Sequence, residues 1–274
     1  MLKMIIYKFF VYIEHLFFFK KFENFLKKLS NDHLNDLKIE HQKAFDKLEE
    51  CFNHANYKNF EPDKVFFYDL TWVSQTVKKK NNLNFNHGFL LQFYLHDYLK
   101  EFGDTLSNVT ILEIGTARGY SSICMAKVLD DLKINGKIFT IDILPLEKKI
   151  FWNSPSDIDG KKTRLELLDK WKNYVSKYII FMKGYSRIIL KKIYFSRINF
   201  AFIDGSHEYE DVKNEIDFIS KRQNKNDIIF FDDYNEKHFP GVVKAINEIK
   251  LNNSYQINLI DLREDRKYVI AKKT

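Results

Sequence analysis

The stretch Val109–Ser122, VTILEIGTARGYSS, constrains the fold more than any other part of the chain. An apolar run of Val109, Ile111, Leu112 and Ile114 carries Glu113 near its end and breaks at Gly115. A second glycine follows at Gly119, and small and hydroxyl residues then open a helical pattern over Ser121–Leu132. An apolar run, a glycine turn and an amphipathic segment spell a buried strand, a tight loop and a helix. Glycine lets a ligand come close to the backbone of such a loop, and the free N–H groups of a helix start face it. A second predicted strand, Lys137–Ile141, ends in Asp142. A carboxylate in that place can accept from both hydroxyls of a ribose.

The pattern continues as alternation. Strands are predicted at Ile179–Met182, Asn199–Ile203 and Ile228–Phe231, with helices over Arg187–Lys192, Tyr209–Lys221 and Val242–Lys250. A long connection from Ile143 to Lys177 carries a predicted helix over Thr163–Tyr174 and the aromatic pair Phe151 and Trp152, which either stack on a ligand or anchor the insertion. The last two strands, Tyr255–Ile260 and Lys267–Ala271, are close in sequence and should pair antiparallel. Strand–helix alternation implies a mostly parallel sheet covered on both faces. Upstream, Gly88–Phe102 reads as a helix leading into the first strand, 52–86 as irregular, and 1–50 as helical. The expected division is a helical and irregular extension over 1–86 and an α/β domain over 87–274.

Two later strands end in acids: Ala201-Phe202-Ile203-Asp204-Gly205-Ser206-His207 and Ile228-Ile229-Phe230-Phe231-Asp232-Asp233. In a doubly wound sheet ligands bind at the carboxyl ends of strands, so these acids belong to a site. His207, three residues after Asp204, is the candidate general base, because an imidazole is neutral near pH 7; the alternative is a structural role for it, with Ser206 as a cap.

With 274 residues, 45% of them apolar, the chain can bury one sizeable core. Its 44 basic residues stand against 37 acidic ones, for a net charge of +7, yet the longest basic run is Lys78–Lys80. That spread argues against a nucleic-acid groove. Cys51 and Cys124 provide neither a disulfide framework nor zinc spacing, which points to the cytoplasm. Met4–Phe19 is apolar and aromatic but interrupted by Lys8 and Glu14. It is compatible with packing on the body or on a partner subunit, with peripheral contact to a membrane, or with an anchor.

Leu112-Glu113-Ile114-Gly115-Thr116 with Gly119-Tyr120-Ser121, followed by Asp142, resembles the first two motifs of class I S-adenosylmethionine (SAM)-dependent methyltransferases. The resemblance runs from about Val109 to the C-terminus. Within that class it is similar to the branch of metal-dependent, macrocin-type O-methyltransferases that act on sugars and small molecules. A dinucleotide fingerprint would want glycine where Ala117 stands, which disfavours a nicotinamide enzyme.

The resemblance implies a Rossmann-like α/β fold: a seven-stranded, mostly parallel sheet with a C-terminal antiparallel hairpin and a helical N-terminal extension. It implies SAM held by Glu113, Gly115, Thr116, Gly119, Ser121 and Asp142, with Ser186 near the adenine. It places the strands of Asp204 and of Asp232 and Asp233 side by side, so that the three carboxylates converge. Converging carboxylates repel unless a cation sits among them, and hard oxygen ligands favour Mg²⁺. The expected activity is methyl transfer to a hydroxyl of a sugar, glycan or glycosylated metabolite, by an enzyme that forms homo-oligomers. The alternatives are a catechol-type methyltransferase acting on an aromatic diol, and a SAM-fold protein that binds without turnover.

Overall fold

Alternation along the strands divides the interior in two. A computed structural model describes residues 31–57, 60–77, 83–262 and 266–274. Its sheet comprises β1 (Val109–Ile114), β2 (Gly136–Asp142), β3 (Ile179–Lys183), β4 (Phe200–Ile203), β5 (Ile228–Phe231), β6 (Tyr255–Asp261) and β7 (Lys267–Lys273), in the spatial order β3-β2-β1-β4-β5-β7-β6. Successive strand residues point to opposite faces. Val109, Ile111, Phe200, Phe202, Ile228 and Phe230 therefore enter one core. Leu112, Ile114, Ala201, Ile203, Ile229 and Phe231 enter the other. Because both faces are covered, the central strands β4 and β5 are buried along their whole length and read as unbroken apolar runs. Each fully buried phenylalanine contributes about 2–3 kcal/mol.

The first core is closed by α1 (Asn31–Phe52), α2 (Lys64–Ser74), α3 (Asn86–Phe102) and α4 (Tyr120–Asp131). In the long connection α5 (Arg164–Leu167) is followed by α6 (Lys172–Tyr178). The second core is closed by α7 (Ser186–Ile189), α8 (Tyr209–Ser220) and α9 (Pro240–Leu251). Strands β1–β5 are parallel, and β7 pairs antiparallel with both β5 and β6, as expected. The chain runs from β1 outward to β2 and β3, then returns to β4 on the other side of β1. The crevice above that switch point is where open α/β sheets bind ligands.

Two expectations are corrected and one open alternative is resolved. The 52–86 region is not irregular throughout. Asp63 caps α2 by accepting from Phe66 N (3.0 Å), and Phe66, Phe67, Leu70, Thr71 and Ser74 form its buried stripe. The single helix over Thr163–Tyr174 is broken: Leu168 leaves the helical conformation and buries its side chain against the glycine loop, so α5 ends at Leu167. Trp152 is an anchor, since it is fully buried and its indole N–H donates to Lys162 O (2.9 Å). Among the described residues no helix is long and apolar enough to cross a membrane. Met4–Phe19 lies outside the described residues.

Candidate active site

The loop after β1 is shaped by close approach. Gly115 has φ +100, and a Cβ there would stand 2.0 Å from the carbonyl oxygen of Asp204. Its N–H donates to Ile141 O (2.9 Å), and Asp204 N donates to Ile114 O (2.9 Å). The ends of β2, β1 and β4 are thus stitched together at a position only glycine can fill. Gly119, with φ +89, turns the chain into α4, and a Cβ there would clash with Leu168. Ala117 between them is also left-handed, at φ +45.

Strand parity decides what Glu113 does. It shares a face with Val109 and Ile111, and so lies beneath the start of α4. It is fully buried, and its two carboxylate oxygens accept from the hydroxyls of Ser121 and Ser122. Burial pushes its carboxyl up, and the hydroxyls of Ser121, Ser122 and Thr140 oppose the shift. Thr116 bonds its hydroxyl to that of Thr140 (2.5 Å). Asp142, at the end of β2, accepts from Ala117 N and Leu144 N, both at 2.6 Å. Burial raises its carboxyl, while Arg164 and those amides pull the other way.

Ser186, the first residue of α7, turns its hydroxyl to Glu215 of α8 (2.5 Å). Glu215 is buried, and desolvation pushes its carboxyl up to about 8.

On the other side of the switch point the acids do not converge as three equals. Asp232 is buried, and both of its oxygens are taken by the guanidinium of Arg266, from the β6–β7 connection (Nε–Oδ1 2.7 Å). Asp233 sits at φ +59. It meets His207 Nε2 at 2.9 Å and Arg266 Nε at 3.4 Å. The ligand atoms of Asp204, His207 and Asp233 all lie within 4.8 Å of one another. Burial and the charges of Asp232 and Asp233 hold the Asp204 carboxyl well above the ordinary range, and Arg266 opposes them. Of the expected trio, Asp204 and Asp233 are grouped with His207, while the carboxylate of Asp232 is engaged by Arg266. Arg266 was not singled out from sequence, because nothing local marks it; it is adjacent to Lys267 at the start of β7.

Residues 112–234 match the family model described as a methyltransferase domain. The fold is similar to that of an O-methyltransferase from Bacillus cereus in complex with SAH, at TM-score 0.56 and 14% identity, covering 85% of this chain and all of that one. It is also similar to the O-methyltransferase TomG from Streptomyces achromogenes, involved in tomaymycin synthesis and in complex with SAM. There the TM-score is 0.52 and the identity 16%, over 78% of this chain and 91% of that one. At such identities the likeness is one of fold. Over 53 residues, 19% of this chain, it is 42% identical to an uncharacterised protein of Acanthamoeba polyphaga mimivirus, and the match spans about a quarter (24%) of that protein. The matched stretch, somewhat under half of the chain, is a methyltransferase domain, and the fold around it is similar to that of O-methyltransferases solved with SAM or SAH.

Proposed function

We propose that the protein transfers the methyl group of SAM to a hydroxyl of a sugar or other hydroxyl-rich acceptor. The observation that carries this reading is the His207–Asp233 pair beside Asp204, set at the ends of β4 and β5 across from the glycine loop. Asp142 accepts from the ribose hydroxyls, and the Gly115, Thr116 and Gly119 loop receives the amino-acid part of SAM. Glu113 works one step removed. By fixing Ser121 and Ser122 it sets the first turn of α4, whose N–H groups face the same crevice.

With the Nε2 proton of His207 donated to Asp233, Nδ1 is left to accept a proton. The acceptor hydroxyl gives its proton to Nδ1 while its oxygen bonds the methyl carbon. The carbon–sulfur bond breaks with its electron pair going to sulfur. Alignment of the two substrates and removal of the proton supply the rate enhancement.

A second reading places a divalent cation in the acid cluster. Two carboxylates and an imidazole within 4.8 Å of one another fit such an ion, and the raised Asp204 carboxyl is what an uncompensated cluster produces. Asp204, His207 and Asp233 would hold it, and it would lower the pKa of a bound hydroxyl. With a nitrogen among the donors, Mn²⁺ suits the set as well as Mg²⁺.

The test is incubation with methyl-labelled SAM and a panel of sugars, glycosides and catechols, read by mass spectrometry with and without EDTA. Methyl transfer to a sugar hydroxyl supports the proposal. EDTA resistance assigns proton removal to His207 alone, and EDTA sensitivity reversed by Mn²⁺ assigns the cation. Turnover of catechols only would move the acceptor to aromatic diols. SAH binding with no turnover of any acceptor would leave a binding protein.

A further inference from the structure

The β2–β3 connection does more than bridge two strands. It is pinned to the glycine loop at two points. Arg118 Nε, from the loop, donates to Trp152 O (2.7 Å). Arg164 Nε, from the first residue of α5, donates to Ala117 O (3.0 Å). The connection is itself well braced. Ile150 and Lys162 form a bridge, buried Asp157 accepts from Trp152 N (2.8 Å), and a capping box of Thr163 and Glu166 starts α5.

Arg164 is the unusual element of this arrangement. Its side chain is 2% exposed and lies between the rings of Trp152 (5.7 Å) and Phe181 (5.5 Å). Its Nη2 is 3.8 Å from Asp142 Oδ1, close enough for charge attraction and too far for a hydrogen bond. That buried Nη2 has no hydrogen-bond partner. A buried cation with an unsatisfied donor is costly, and native proteins satisfy such groups. Here the donor lies 3.8 Å from a carboxylate, and a hydroxyl set beside the pair can accept from Nη2 and donate to Asp142 at the same time.

We infer that Arg164 is a second cofactor-recognition residue, donating from Nη2 to a ribose hydroxyl that in turn donates to Asp142. This rests on the reading of Asp142 as the ribose acceptor. It makes the β2–β3 insertion part of the cofactor site, with Trp152 and Phe181 holding the guanidinium plane in place. The charge of Arg164 also opposes the burial that raises the Asp142 carboxyl, which keeps it an acceptor.

The test is calorimetric titration of the wild type, Arg164→Met and Arg164→Lys with SAH and with its 2′,3′-dideoxy analogue, alongside thermal melting. In the wild type the missing hydroxyls should cost about 100-fold in affinity, the effect of leaving polar groups of a site unpaired. Arg164→Met should bind SAH at least about tenfold more weakly while its discrimination between the two ligands falls below about tenfold. Arg164→Lys keeps the charge without the planar fork and should lie between. A merely structural arginine would weaken both ligands by the same factor. Unchanged discrimination in Arg164→Met, or in Arg164→Lys if the methionine variant does not fold, overturns the inference. A wild type that binds SAH equally well with and without the ribose hydroxyls overturns it too. A wild type that binds no SAH at all overturns the cofactor reading beneath it.

Discussion

The two sides of the switch point solve the same electrostatic problem by different means. On the β1–β2 side, Glu113 and Asp142 are buried carboxylates satisfied largely from within one stretch of sequence: the hydroxyls of Ser121 and Ser122, and the amides of Ala117 and Leu144. On the β4–β5 side, Asp204, Asp232 and Asp233 depend on groups brought from elsewhere. Asp232 is held by Arg266, thirty-four positions on, and Asp233 by His207, twenty-six positions back. The first arrangement is a local motif and the second a tertiary assembly. Neutral donors hold Glu113, and Asp142 accepts from two amides with the Arg164 charge 3.8 Å away, whereas Asp232 is gripped directly by a guanidinium. This predicts that the acid cluster is the side whose integrity hangs on single distant residues.

The largest effect expected from breaking that contrast comes from Arg266→Met. It strands the buried Asp232 without a counter-charge and should destabilise the fold by about 3–5 kcal/mol in urea unfolding. Adding Asp232→Asn should recover much of the loss. If the single variant is as stable as the wild type, the acid side does not depend on its arginine. His207→Ala comes next. It should lower kcat by about 10²–10³-fold while leaving SAH affinity within about twofold, because it touches only the acceptor side. Parallel loss of SAH binding would mean that the two halves are not separable.

Glu215→Gln sharpens the comparison from the second core, where Ser186 supplies the carboxyl with a neutral donor. A carboxyl raised to about 8 in the fold, against its ordinary 4.5, holds its proton in the native state. The stabilisation that proton gives is therefore present in full below about pH 4.5 and is lost as pH rises toward 8. The wild type should lose on the order of 2–4 kcal/mol of stability across that range that the glutamine variant keeps. Melting curves from pH 5 to 8.5 check this, and identical slopes for both proteins would contradict it.

The contrast also explains what the sequence could reveal. Strand β1, its glycine loop and α4 were legible because their signals lie within one short window, as were the terminal hairpin and the acids ending β4 and β5. Parity could have gone further. Glu113 falls on the same alternating face as Val109 and Ile111, so its burial under α4 was implied by the pattern that located the strand. Helix α2 also had a readable signal, Asp63 as cap and a stripe from Phe66 to Ser74, masked by the Asn- and Lys-rich residues around it. Arg266 and Arg164 had no such signal. Each is one basic residue among 44, set apart only by a buried carboxylate that the tertiary fold brings to it. That Asp232 is engaged by Arg266 could not be read without locating that arginine.

The proposed function rests on a cofactor site on the β1–β2 side, built on Asp142. Its most direct test is calorimetric titration of the purified wild type and Asp142→Ala with SAH, with and without Mg²⁺. Micromolar binding to the wild type, insensitive to Mg²⁺, is expected. Asp142→Ala, still folded by circular dichroism, should weaken binding by about 100-fold or more. Equal binding by both proteins, or no binding by the wild type under either condition, would contradict it.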